Sequence, residues 1–249
     1  MNQLTSYAVW DAGTRWFHWI NVLCIIMLIV VGIAIMNDDA LGLSTSGKIL
    51  LKEIHVWVGY VFTVNILWRI IWIFFGNKYA RWNAILPGGK GYVQAVRNYA
   101  SAFITGKTEY YLGHNPLGRL SVFLLFILMI TQAITGLVLA GTDLFYPPFG
   151  YWIAQWVAAP DVLPSTLLPY ASQMYDAEAF KSMRAFRSPF IEVHEINFYL
   201  MSGVIILHIA AVVVTEIKEG GGIISAMFSG KKAFNQKFVP VDLNDTNKN

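Results

Sequence analysis

IEVHEINFYLMSGVIILHIAAVVVT, residues 191–215, is a mostly apolar stretch long enough to cross a membrane, and it carries two histidines, His194 and His208, fourteen positions apart. A helix turns about 100° per residue, so that spacing falls roughly 40° short of four full turns, and both imidazoles leave one face about 21 Å apart along the axis. One helix therefore offers a ligand near each surface of a bilayer. Two more histidines, His18 and His55, sit near the start of two other apolar stretches. If those stretches run antiparallel, each supplies a second ligand at one of the two levels.

The rest of the chain agrees with a membrane solvent. Of 249 residues, 56% are hydrophobic and only 13% charged, and the mean hydropathy is +0.50. That balance excludes an ordinary soluble domain. Nine tryptophans and twelve tyrosines suit the headgroup level of a bilayer. A net charge of +3 gives no case for nucleic acid. The one cysteine, Cys24, cannot form an intrachain disulfide, and the chain lacks the CxxCH of covalent haem attachment. The first apolar stretch has no small-residue cleavage site behind it and is read as a retained helix.

Four stretches reach the roughly 20 residues a spanning helix needs: 15–36, 50–75, 117–140 and 191–215. The fold expected is an all-α, four-helix transmembrane bundle over residues 1–235, followed by a polar, frayed tail over 236–249. With the N-terminus inside, twelve Lys and Arg fall on the inner side and five on the outer, so both termini are expected in the cytoplasm. The loop from Gly141 to Pro189 then faces outward. Its Phe145, Tyr146, Phe149, Tyr151, Trp152 and Trp156 suit either a segment lying along the membrane surface or rings packed over helix ends. Depth, which played no part in that orientation, pairs His18 with His208 near the inner face and His55 with His194 near the outer.

Ionisable side chains inside a bilayer are costly and mark functional sites. A pair of neutral imidazoles from facing helices can clamp a haem iron, and with both axial positions filled the expected task is electron transfer. The competing reading is interhelical hydrogen bonding, worth about 1 kcal/mol or less each. Four histidines at two matched depths favour two noncovalent b haems, with His18, His55, His194 and His208 as metal ligands. Gly32 follows His18 by fourteen residues, Gly59 follows His55 by one turn, and Gly203 lies between His194 and His208; they suit a porphyrin's close approach or plain helix packing. Arg15, Arg69 and Lys52 offer cations to haem propionates or to lipid phosphates.

The run Arg15-Trp16-Phe17-His18-Trp19, the run Gly113-His114-Asn115-Pro116-Leu117 and the fourteen-residue histidine pair together resemble the b-type cytochrome subunit of membrane-bound nickel-iron hydrogenases. That subunit sits within a wider bacterial group of four-helix dihaem cytochromes, which includes the cytochrome subunit of formate dehydrogenase. The resemblance extends from Tyr7 to about Phe234, and the Gly-His-Asn-Pro run points to the hydrogenase branch. It implies an electron-transfer subunit of a quinone-reducing complex in the bacterial inner membrane. Electrons would come from a periplasmic iron-sulfur subunit, pass from the His55/His194 haem to the His18/His208 haem, and leave to menaquinone or ubiquinone. The outer loop is longer than that branch leads one to expect, which keeps open a different periplasmic partner such as a multihaem cytochrome c, with flow outward from quinol. A colourless transporter with a histidine proton relay is a third reading, disfavoured by the lack of an inverted repeat. His114 and Asn115 have two readings: a helix-entry turn with Asn115 as cap and Pro116 first in the helix, or a quinone site near the inner haem.

Overall fold

The molecule, seen in a computed structural model, is described for residues 4–106, 110–235 and 240–242. In chain order these form β1 (Leu4–Ala8), α1 (Ala12–Met36), α2 (Thr45–Phe75), α3 (Trp82–Ile85), α4 (Tyr92–Thr105), α5 (Pro116–Leu144), α6 (Gly150–Val157), α7 (Ala177–Glu219), α8 (Ile223–Ser229) and β2 (Lys231–Asn235). Helices α1, α2, α5 and α7 are long and apolar enough to cross a membrane. The chain is a multi-pass membrane protein.

Each crossing helix opens on a short polar side chain. Thr14 donates its backbone N–H to Asp11 Oδ1 at 2.8 Å, and Gly47 to Ser44 Oγ at 3.2 Å. Gly118 donates to Asn115 Oδ1 at 2.6 Å, and Ala179 to Asp176 Oδ1 at 2.8 Å. Such caps satisfy amides that a helix start leaves without an intrahelical partner. The outward faces carry large apolar residues such as Leu23, Val30, Val64 and Leu207, all exposed, as lipid contact requires.

Two compact units divide the chain. The first holds Met1–Trp19, Ile66–Ile127 and Met201–Asn249; the second holds Ile20–Asn65 and Leu128–Leu200. In the first, β1 pairs antiparallel with β2, from Leu4 opposite Asn235 to Ala8 opposite Lys231. Val9, Trp10, Tyr79 and Ala226 pack beside that sheet. The expected frayed tail begins inside this unit: Val241 bridges to Tyr111, and Asp242 accepts from Lys78 Nζ at 2.6 Å. The rest of the tail, 236–239 and 243–249, lies outside the described residues.

In the second unit the connection after α5 is shorter than expected. Helix α5 continues to Leu144 and α7 begins at Ala177, so both ends of the Gly141–Pro189 stretch are helix rather than loop. Pro189 lies within α7, where it forgoes one backbone hydrogen bond. Residues 145–176 build a small core with the start of α7, in which Ile153, Ala154, Val157, Leu167 and Met183 are buried together. The two readings of the loop aromatics divide by residue. Phe145 packs against that core and Tyr146 donates to Glu53 Oε1 at 3.0 Å, whereas Phe149, Tyr151, Trp152 and Trp156 are exposed.

Candidate functional site

Within the second unit, α2 carries His55 and α7 carries His194. Their ring centroids are 6.3 Å apart, with the planes at 67°. A metal–imidazole nitrogen bond is about 2 Å, so two rings clamping one ion from opposite sides stand with centroids roughly 6 Å apart. The pair therefore has the spacing a bis-histidine iron needs. Both rings are half-buried. Gly136 makes room for one of them, since a Cβ added there would meet His194 Cε1 at a tight 3.3 Å, whereas one at Gly32 would meet His55 Cε1 at an ordinary 3.5 Å. A Cβ at Gly59 would meet nothing within 4 Å.

The second unit is also rich in buried amides. Asn65 Nδ2 donates to Asn21 Oδ1 at 2.9 Å. Asn197 Nδ2 donates to Gln132 Oε1 at 2.6 Å and to the Leu128 carbonyl at 2.9 Å. Gln132 Nε2 lies 3.0 Å from His194 Nε2, and Thr135 Oγ1 lies 2.8 Å from His194 Nδ1. Sequence reading passed over Gln132, Thr135 and Asn197. The available signal was polarity inside an otherwise apolar span, a cost that function has to explain. Lys52, one of the expected cations, is engaged by Asp143 at 2.7 Å, and Arg187 meets the other oxygen of the same carboxylate at 2.5 Å.

Within the first unit, α1 carries His18 and α7 carries His208. His18 leaves Nδ1 buried with no partner among the described residues, as does His55 in the second unit. Gly203 faces open space, with nothing within 4 Å of an added Cβ. Arg69 is buried. Its Nη2 donates to the Ala80 carbonyl at 3.0 Å, and its guanidinium carbon stands 5.7 Å from the ring centres of both Phe17 and Phe126. Its Nη1 is buried and unpartnered among the described residues, an arrangement that fits an anionic carboxylate. Arg15 donates instead to the Phe228 carbonyl.

The Gly113–Leu117 run is an entry turn, with Asn115 as cap and Pro116 first in α5. Asn115 Nδ2 also donates to Tyr99 Oη at 2.7 Å, and Tyr99 donates to Glu219 Oε1 at 2.7 Å. Burial raises the Tyr99 pKa, and Glu219 adds to the rise. His114 stacks beside Trp10 with centroids 4.8 Å apart. Burial pushes its pKa down to about 3, and the nearby Lys232 charge assists. Its imidazole is thus neutral at physiological pH, a hydrogen-bonding group rather than a store of protons. Lys232 is itself buried and donates to the carbonyls of Tyr111 and Gly113, both at 3.0 Å.

A family model described as prokaryotic cytochrome b561 matches residues 9–230. A probable Ni/Fe-hydrogenase 1 B-type cytochrome subunit of Escherichia coli K12 is 33% identical over 164 residues, covering 60% of this chain and 68% of its own length. A probable Ni/Fe-hydrogenase B-type cytochrome subunit of Cupriavidus necator is 25% identical, covering 91% of this chain and 86% of its own. One from Rhodobacter capsulatus is 27% identical, with coverage of 92% and 82%. No solved structure matches.

Proposed function

Because the chain belongs to the prokaryotic cytochrome b561 family, we propose that it is the membrane electron-transfer subunit of a hydrogenase, holding one b haem between His55 and His194 and a second between His18 and His208. The observation that carries this reading is the 6.3 Å separation of the His55 and His194 rings. A b haem held by these histidines would supply one-electron transfer. The residues around it would orient the imidazoles, exclude water and hold charge: Arg69 Nη1, buried and unpartnered among the described residues, would donate to a propionate carboxylate.

The hydrogenase partner is argued from the names of the relatives. By the charge asymmetry of the loops, that partner docks on the periplasmic side, through its iron-sulfur subunit, and both termini of this chain lie in the cytoplasm. Electrons leave to a membrane quinone, menaquinone or ubiquinone, beside the Gly113–Leu117 turn. There the Tyr99, Asn115 and Glu219 side chains form a connected polar group, with neutral His114 adjoining Asn115 in the chain.

Haem quantitation on the purified protein tests the proposal. Two b haems per chain are expected, with His194→Ala and His208→Ala each losing one. Reoxidation of the reduced protein by a soluble quinone analogue is expected to slow in Asn115→Ala, with both haems in place. A colourless protein, or both haems retained in either histidine variant, overturns the haem assignment. Unchanged reoxidation moves the quinone site elsewhere.

A further inference from the structure

The polar chain around His194 runs between backbone carbonyls at both ends, and its Asn197 end fixes the protons along it. At one end Asn197 Nδ2 faces the Leu128 carbonyl at 2.9 Å. A carbonyl only accepts, so the asparagine amide is oriented with its nitrogen inward. The same nitrogen lies 2.6 Å from Gln132 Oε1, which accepts. Gln132 therefore turns its NH₂ toward His194, 3.0 Å from Nε2, and that ring nitrogen must be the acceptor. The proton of the neutral ring then belongs on Nδ1.

The other end is consistent with this answer. Thr135 Oγ1 lies 2.9 Å from the Thr131 carbonyl and 3.2 Å from the Gln132 carbonyl. A hydroxyl has one proton, and these carbonyls can take it, which leaves the oxygen free to accept from His194 Nδ1–H at 2.8 Å. Three side chains and three backbone carbonyls thus fit one tautomer.

We propose that Thr135 is the positioning residue of this site: it holds His194 with its proton on Nδ1 and its lone pair on Nε2, ready to bind iron, and strengthens that nitrogen as a donor. Gln132 Nε2 donates to that lone pair here, at 3.0 Å. The inference rests on the reading of His194 as an axial ligand. It separates the two histidines of the pair, because His55 Nδ1 has no partner among the described residues. Partners of this kind fix the orientation of a ligating ring and raise its basicity, and their loss weakens metal binding about 10–100-fold.

The experiment compares Thr135→Val, Thr135→Ser and His194→Ala in the full-length purified protein, reading haem retention and the midpoint potential of each haem. Valine keeps the size of threonine but cannot accept a hydrogen bond. In Thr135→Val the haem of the His55 and His194 pair is expected to be retained about 10–100-fold more weakly. Its midpoint should rise, since a poorer donor stabilises the ferric state less. The other haem serves as the control for folding and stays unchanged, and serine restores both properties. A Thr135→Val protein with wild-type retention and midpoint overturns the inference while His194→Ala still empties the site. Loss of both haems together, or failure of serine to restore, assigns Thr135 to general packing and also overturns it. Retention of both haems in His194→Ala overturns the ligand reading instead.

Discussion

His114 shows how one buried ring shapes the behaviour of the cytochrome at low pH. An exposed histidine takes a proton near 6.5, whereas burial, and secondarily the Lys232 charge, hold this one down to about 3. The unfolded chain therefore binds the extra proton first. The contribution of His114 to stability is at its full value above pH 6.5 and falls as pH drops from 6.5 toward 3. His114→Gln is expected to flatten that part of the profile, read as the thermal unfolding midpoint in detergent across the window. Lys232 acts in the opposite range. Burial lowers its pKa from 10.5 to about 8, so the folded state gains stability as pH rises from 8 toward 10.5. A profile for His114→Gln that keeps the acid slope would show that other groups carry it.

At the level of elements, close approach matters more than propensity. A Cβ at Gly13 would lie 2.4 Å from Trp72 Cε2, and Trp72 Nε1 donates to Asp11 Oδ1 at 3.0 Å, tying the start of α1 to α2. Gly13→Ala is expected to push these helices apart and destabilise the protein by about 1–3 kcal/mol. Gly32→Ala should be tolerated, since its Cβ meets only ordinary contact at 3.5 Å. Chemical denaturation of the two variants checks the contrast. The four spans were legible in the sequence because hydropathy is a local property of twenty or so residues. Their ends were less so: α2 begins at Thr45 and α7 at Ala177, where polar helical turns run past the apolar window. Strands β1 and β2 were invisible, because each is five residues long and finds its partner across more than two hundred positions. The histidines were legible for the same reason as the spans, since the spacing on α7 is local. Thr135 was not, because its meaning depends on a ring contributed by another helix.

For the whole molecule, the distribution of Lys and Arg predicts the sidedness. A reporter active only in the periplasm should work when inserted after Asp161, in the stretch between α5 and α7, and fail after Lys90, between α3 and α4. Reversed activities would invert the orientation and the proposed side of partner docking. The pairing of β1 with β2 has a further consequence, in time rather than in space. In chain order β2 follows all four crossing helices, so β1 waits without its partner strand until the last span has been synthesised. Only then can Lys232 reach the Tyr111 and Gly113 carbonyls and fix the turn that opens α5. The sheet of the first unit is therefore a late-closing part of the molecule during biogenesis, and the order of translation leaves an interval in which all four crossing helices are made but β1 and β2 are not yet paired.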